Sequence, residues 1–226
     1  MNKKEKTVKI CGGITVPEIT TELVFILDRS GSMGGLEADT IGGFNATLEA
    51  QRQKGGKVYV STVLFDHERI VLHDRVDIAK VEPMTANQYR PRGSTALLDA
   101  IGCSIHHIAN VHKYARREDV PEHTVFVITT DGMENASRMY SSAEIKRKIE
   151  RQSEKYGWEF LFLGANIDSF EVAGNLGIRE DRIANYRYSS DGVEESYATM
   201  DCAISSVRDR RKDFNLNNMM KANRKK

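Results

Sequence analysis

The sequence predicts an α/β fold: a doubly wound, mostly parallel sheet of about six strands, with one antiparallel edge strand and helices on both faces. Two observations carry this. Runs such as Leu23-Val24-Phe25-Ile26-Leu27 and Val125-Phe126-Val127-Ile128 are continuously apolar, as parallel strands covered on both faces are. Between such runs lie longer segments with helical spacing of apolar residues, the alternation expected of β-α-β units.

The elements follow in order. Glu22-Leu23-Val24-Phe25-Ile26-Leu27 reads as a buried strand that opens into a polar loop, Asp28-Arg29-Ser30-Gly31-Ser32. Residues 42–53 read as a helix with Phe44 and Leu48 on one face, stopped by Gly55-Gly56. Residues 57–65 form a strand, and Arg69-Ile70-Val71-Leu72-His73-Asp74 follows so soon that only an antiparallel hairpin can join them, which places this strand at an edge. Residues 96–115 form a helix whose apolar face carries Leu97, Leu98, Ile101, Ile105, Ile108 and Val111.

Residues 124–130 are the second long apolar strand, ending on Asp131-Gly132. A charge-rich helix over residues 142–156 is stopped by Gly157. Residues 158–164 make a third buried strand, Asp168 caps a short helix ending near Gly177, and residues 182–186 make a weaker last strand. Residues 194–211 form the final helix. The body of the domain is thus residues 21–211, preceded by an extension at 1–20 and followed by a basic, disordered tail at 212–226.

Composition narrows the function. At 226 residues the chain fits one domain that buries about 70% of its unfolded surface. No apolar stretch approaches the roughly 18 residues of a membrane span, and the basic N-terminus lacks the apolar core of a secretory signal. Cys11, Cys103 and Cys202 are far apart and odd in number, a poor disulfide framework, so the expected setting is reduced and cytoplasmic. Residues 1–9 carry four Lys against one Glu, and residues 208–226 carry eight Lys or Arg against two Asp, which leaves the body between them acidic. No aromatic residue follows Phe214 to stack on bases, so the basic tail is read as a solvated end and nucleic acid is not the expected partner.

Chemistry concentrates in three loops. Asp28, Ser30 and Ser32 offer one carboxylate and two hydroxyls one residue apart; Thr95 sits in the Gly-led loop Arg92-Gly93-Ser94-Thr95 before a helix; Asp131 ends a second strand. All are oxygen donors, which suits a hard cation, Mg²⁺ first, with Mn²⁺ or Ca²⁺ as substitutes. Taken singly, each could be a helix cap or a turn. Their conjunction, Asp-x-Ser-x-Ser followed by a distant Thr and a distant Asp, resembles the metal-ion-dependent adhesion site (MIDAS) of von Willebrand factor type A (VWA) domains, over about residues 20–185.

That resemblance implies a Rossmann-like sheet and a Mg²⁺ held directly by hydroxyls, with at least one Asp acting through water. It implies a protein partner that supplies an Asp or Glu side chain to the metal, and no catalysis. The alternative is a Mg²⁺-dependent hydrolase or phosphatase on a similar sheet. A phosphatase of the haloacid dehalogenase type needs a second Asp two residues after the first, where this chain has Ser30. The Gly-x-Ser-x-Gly of serine hydrolases does not surround Ser30 or Ser32, and Gly56-Lys57-Val58 fails the phosphate-binding loop pattern.

Weaker candidates complete the list. Asp66-His67-Glu68 could hold a second cation or simply turn a hairpin. Cys103, His106 and His107 have helical spacing, but adjacent histidines diverge by about 100° on a helix, so core and surface roles are expected. Asn135 is read as ordering the loop behind Asp131, and Arg29 as pointing to solvent beside the site.

Overall fold

The structure, a computed structural model, describes residues 7–9, 15–17, 19–211 and 213–224. Its strands are β1 Thr7–Lys9, β2 Thr15–Pro17, β3 Thr20–Asp28, β4 Lys57–Phe65, β5 Arg69–Asp77, β6 His123–Thr130, β7 Glu159–Gly164 and β8 Ile183–Asn185. Its α-helices are α1 Glu37–Gln53, α2 Leu97–Tyr114, α3 Ser142–Tyr156, α4 Ser169–Asn175, α5 Ser190–Arg208 and α6 Leu216–Asn223. β1 and β2 pair antiparallel within the extension; most of the rest of that segment, with Cys11, lies outside the described residues.

The main sheet has six strands in the order β5-β4-β3-β6-β7-β8. All pairs are parallel except the β4–β5 hairpin, so the edge strand is the antiparallel one, as the short Phe65–Arg69 link requires. β3 is central, and its side chains alternate between two cores. Leu23, Phe25 and Leu27 join Phe44 and Leu48 of α1 and Met200 and Ile204 of α5 on one face. Val24 and Ile26 join Leu97, Ile101 and Ile105 of α2 and Ile145 and Ile149 of α3 on the other. The helices therefore cover both faces, which explains why the strands read as unbroken apolar runs.

This topology decides where a ligand can sit. From β3 the chain crosses by α1 to β4 on one side; after β5 it returns by α2 to β6, on β3's other side. The loops leaving β3 and β6 thus diverge to opposite faces, and the crevice beyond their carboxyl ends is where open α/β sheets bind ligands. Leu27 pairs with Thr129, so Asp28 and Asp131 stand at the rims of adjacent strands.

Local signals account for most boundaries. α3 opens with a capping box, Ser141 accepting from the Glu144 amide and Glu144 reaching back, and ends at Gly157 in the left-handed conformation (φ 68). Asp168 caps α4 through the amides of Phe170 and Glu171, both at 3.1 Å. α1 starts five residues before the expected position, at Glu37. The central strand also carries a buried charge: Glu22 is paired with Arg75 Nε at 2.8 Å, where β5 is irregular and Arg75 adopts φ 51.

The tail corrects the sequence reading. Leu216–Asn223 is a helix, not a disordered segment, with Leu216 and Met220 fully buried. Asn215 caps it by accepting from the Asn218 amide at 2.9 Å. The Arg182 guanidinium stacks 3.7 Å over the Phe214 ring and donates to the Phe214 carbonyl at 2.6 Å, while Asn223 donates to Thr199 Oγ1 at 2.9 Å. The cluster of basic residues hid an i, i+4 apolar pair that covers α5 and the β8 edge. Leu216→Ala or Met220→Ala should therefore destabilise the protein by about 2–4 kcal/mol in urea unfolding; a midpoint unchanged in both variants would mean that the segment does not dock.

Candidate metal centre

Asp28 ends β3 with its side chain fully buried. Its Oδ1 accepts the Ser30 amide at 2.7 Å, its Oδ2 accepts the Thr130 hydroxyl at 2.5 Å, and its carbonyl accepts the Tyr89 hydroxyl at 2.5 Å. The first of these bonds folds the loop back on itself and sends the two serine hydroxyls to one side. Ser30 Oγ and Ser32 Oγ are 3.0 Å apart, and Ser32 Oγ donates to Asp131 Oδ1 at 2.7 Å.

The third hydroxyl arrives from α2. Thr95 lies just before the helix, its amide donating to Asn135 Oδ1 at 2.8 Å and its carbonyl accepting from the amides of Asn135 and Ala136 at 3.0 and 3.2 Å. Gly132 makes the convergence measurable. A Cβ built on it would lie 3.0 Å from Thr95 Oγ1, 3.4 Å from Ser32 Oγ and 3.8 Å from Ser30 Oγ. The three hydroxyls thus face one small space that exists because residue 132 has no side chain. Asp131 borders the same space, and its Oδ2 is buried without a hydrogen-bond partner among the described residues.

This charge arrangement is costly. Burial pushes the Asp28 carboxyl up to about 6, against the opposing hydrogen bonds from Thr130 and Ser30, and the nearby Asp131 adds to the rise. Burial raises the Asp131 carboxyl as well, opposed by the Ser32 hydrogen bond. Two buried carboxylates, an orphaned oxygen and three neutral hydroxyls form a donor set that fits a small divalent cation, which would supply compensating positive charge.

Several supporting residues were not legible in the sequence. The Glu134 carboxylate accepts the Leu98 amide at 2.9 Å, capping α2, and also the amides of Ala136 and Ser137 at 2.9 and 2.7 Å. Asp99 reciprocates, accepting the amides of Arg138, Met139 and Tyr140 at 2.8 to 3.0 Å. These bonds clasp the loop after β6 to the start of α2. Tyr188 donates to the carbonyls of Ser32 at 2.5 Å and Gly34 at 2.8 Å, tying the serine loop to the segment before α5. Asn135 does order the loop, as its spacing from Asp131 suggested.

Arg29 departs from expectation. It is not turned to solvent but is 4% exposed and paired with Asp66 at 2.9 Å. A buried carboxylate 37 residues away in sequence captures it, and no local signal announces such a partner. Among the described residues, Asp66-His67-Glu68 is the one group of three whose His, Cys, Asp or Glu donor atoms lie within 4.8 Å of one another. Arg29 and Arg92 already neutralise Asp66, and Arg92 also pairs with Glu68 at 2.5 Å. Cys103, His106 and His107 do not converge: both histidines are exposed, and His107 Nε2 lies 2.7 Å from Asp74 on β5.

The raised Asp28 value gives a pH test on metal-free protein. With burial pushing the Asp28 carboxyl up to about 6, the folded state holds this proton to higher pH than the unfolded chain, where a carboxyl has its ordinary value of 3.8. Stability contributed by this group therefore falls as pH rises through that window, and the cost is complete above it. Asp28→Asn removes the charge and keeps an acceptor for the Ser30 amide, while the Thr130 hydroxyl turns to the Gly132 carbonyl and accepts from the new amide nitrogen. It should stabilise the metal-free protein by roughly 2–3 kcal/mol at pH 7.5 and by little at pH 4 in urea titrations. A variant no more stable than wild type at pH 7.5 would show that the buried charge costs nothing.

No protein-family model matches this sequence, and no curated protein does. Solved structures do match the fold. The vWF domain of the type V pili tip protein Mfa5 from Porphyromonas gingivalis is 12% identical with a TM-score of 0.60, covering 83% of this chain and 96% of that one. Proximal thread matrix protein 1 from the mussel byssus is 15% identical with a TM-score of 0.55, over 82% of this chain and 46% of that one. A von Willebrand factor type A protein from Catenulispora acidiphila is 12% identical with a TM-score of 0.53, over 83% and 43%. This chain thus spans less than half the length of the latter two. At such identities the likeness is one of architecture: the six-stranded mixed sheet with its antiparallel edge pair and flanking helices is a VWA-like α/β fold.

Proposed function

We propose that this protein is a metal-dependent protein-interaction module. Ser30, Ser32 and Thr95 hold a Mg²⁺ through their hydroxyls, and Asp28 and Asp131 bind it directly or through water. The observation that carries this reading is the space beside Gly132, lined by three hydroxyls and the unpartnered Asp131 oxygen, at the sheet's topological switch point. Bound there, the metal supplies an electrophilic position open to an incoming carboxylate. The chain's own residues keep that position electrophilic, because three of the five donors are neutral. A partner would contribute an Asp or Glu side chain. The pilus setting of Mfa5 is in keeping with such a role, though it belongs to that protein.

A Mg²⁺-dependent hydrolase fits less well. Hydrolysis needs a group that moves a proton or attacks the substrate. Among the described residues, the side chains bonded to the five site residues, apart from one another, are those of Thr130 and Asn135, with Tyr89 and Tyr188 on backbone carbonyls, and none is a His, Lys or Cys. Ser30 also occupies the place where a haloacid dehalogenase-type phosphatase carries its second Asp.

Calorimetric titration should show saturable Mg²⁺ or Mn²⁺ binding that disappears in Asp28→Ala and weakens in Thr95→Ala, with the fold retained. EDTA should release whatever partner the protein captures. Metal-dependent turnover of a generic phosphoester, lost in Asp28→Ala, would replace the binding reading with the hydrolase. Gly132→Ala offers a sharper probe. Its methyl would enter the space between the hydroxyls, so metal binding should be abolished while the thermal midpoint of the metal-free protein stays close to wild type. Unchanged metal affinity in Gly132→Ala would place the cation elsewhere.

A further inference from the structure

Neutral hydroxyls pull weakly on a cation, so affinity depends on how firmly the loops that carry them are held. Those loops meet at Asp66, the residue after β4, which is fully buried. Its Oδ2 lies 2.9 Å from Arg29 Nη2 and 3.0 Å from Arg92 Nε; its Oδ1 accepts the Glu68 amide at 2.6 Å and lies 3.3 Å from His67 Nδ1. Arg29 stands between Asp28 and Ser30, and Arg92 stands three residues before Thr95. One carboxylate thus grips both hydroxyl-bearing loops.

The backbone follows the same pattern. The Arg92 amide donates to the Arg29 carbonyl at 2.8 Å, the Gly31 amide to the Gly93 carbonyl at 3.1 Å, and the Ala96 amide to the Asp66 carbonyl at 2.8 Å. Gly93 adopts φ 65, and a Cβ there would meet the His67 ring, so glycine is strongly favoured at this point of the loop. The serine loop, the threonine loop and the β4–β5 hairpin are therefore one unit, with a single carboxylate at its centre.

We infer that Asp66 is a positioning residue of the metal centre. It offers the cation no ligand; it holds Ser30, Ser32 and Thr95 in convergence through Arg29 and Arg92, and it balances two guanidiniums that would otherwise repel a dication nearby. The inference rests on the metal-binding reading above. Arg29 is held by charge alone, since its Nε and Nη2 make no hydrogen bond among the described residues; removing the Asp66 charge leaves a buried, uncompensated guanidinium and favours its turning outward with its loop. Groups around a metal site that orient its ligands are typically worth about 10–100-fold in affinity.

The test is Mn²⁺ binding to the full chain, followed by calorimetry and by electron paramagnetic resonance, for wild type, Asp28→Ala, Asp66→Asn, Asp66→Glu and Arg92→Gln. Wild type should bind one Mn²⁺ and Asp28→Ala none. Asp66→Asn should keep the single site but weaken it about 10–100-fold, at a temperature where circular dichroism shows it folded. Asp66→Glu should recover part of the loss. Arg92→Gln alters an exposed tether and should remain folded even if Asp66→Asn does not; it should weaken binding by a smaller factor. Wild-type affinity in both Asp66→Asn and Arg92→Gln would overturn the inference and leave the metal reading intact. Two ions in wild type, one of them lost in Asp66→Asn, would make Asp66 a ligand instead. No Mn²⁺ bound to wild type would defeat the metal reading itself.

Discussion

Two carboxylates buried at the ends of neighbouring parallel strands are the constraint around which this molecule is arranged. Asp28 and Asp131 come from β3 and β6, whose pairing runs in register up to Leu27 and Thr129. Such a pair is unfavourable unless something positive lies between or the groups take up protons, and burial does raise both. The structure invests further in keeping them ionisable and aimed. Asp28 accepts two hydrogen bonds, Ser32 donates to Asp131, and Gly132 leaves space beside them. A fold that needed only stability would place apolar residues here. On the reading proposed above, the cost is that of a site prepared for a cation, and the ion pairs at Asp66 are its support one layer out.

Most of the fold was legible because each cue was local. The apolar runs of β3, β4, β6 and β7 fall close to where periodicity and composition put them, and the three-residue link between β4 and β5 left the hairpin little choice of topology. The capping residues Ser141 and Asp168 and the stop at Gly157 act within a few residues of themselves. The five candidate ligands were legible for a different reason. Their types and order follow a pattern that few other arrangements require, and the structure brings the three hydroxyls and Asp131 around one space with Asp28 directly behind.

What could not be read depends on distant partners. Nothing near Arg29 indicates that it will be buried against Asp66, and a charged residue in a polar loop is ordinarily solvated. Glu134 and Asp99 look like surface acids, yet Glu134 caps α2 at the Leu98 amide while closing two amides of its own loop, and Asp99 accepts three amides of that loop. Residues 213–224 were misread because charge dominated the pattern. Leu216 and Met220 are spaced for one helical face, but with only two buried positions the signal is short, and the surface that receives them is made by α5 and β8. Short helices of this kind owe their stability to docking, so propensity says little about them.

The central claim, that a cation belongs among Ser30, Ser32, Thr95 and the two aspartates, is tested most directly by anomalous scattering from crystals grown with Mn²⁺. The account predicts one strong peak beside Gly132, within coordinating distance of the three hydroxyl oxygens, and absent from Asp28→Ala crystals. A peak at Asp66-His67-Glu68 with none beside Gly132, or no ordered ion at saturating Mn²⁺, would contradict it.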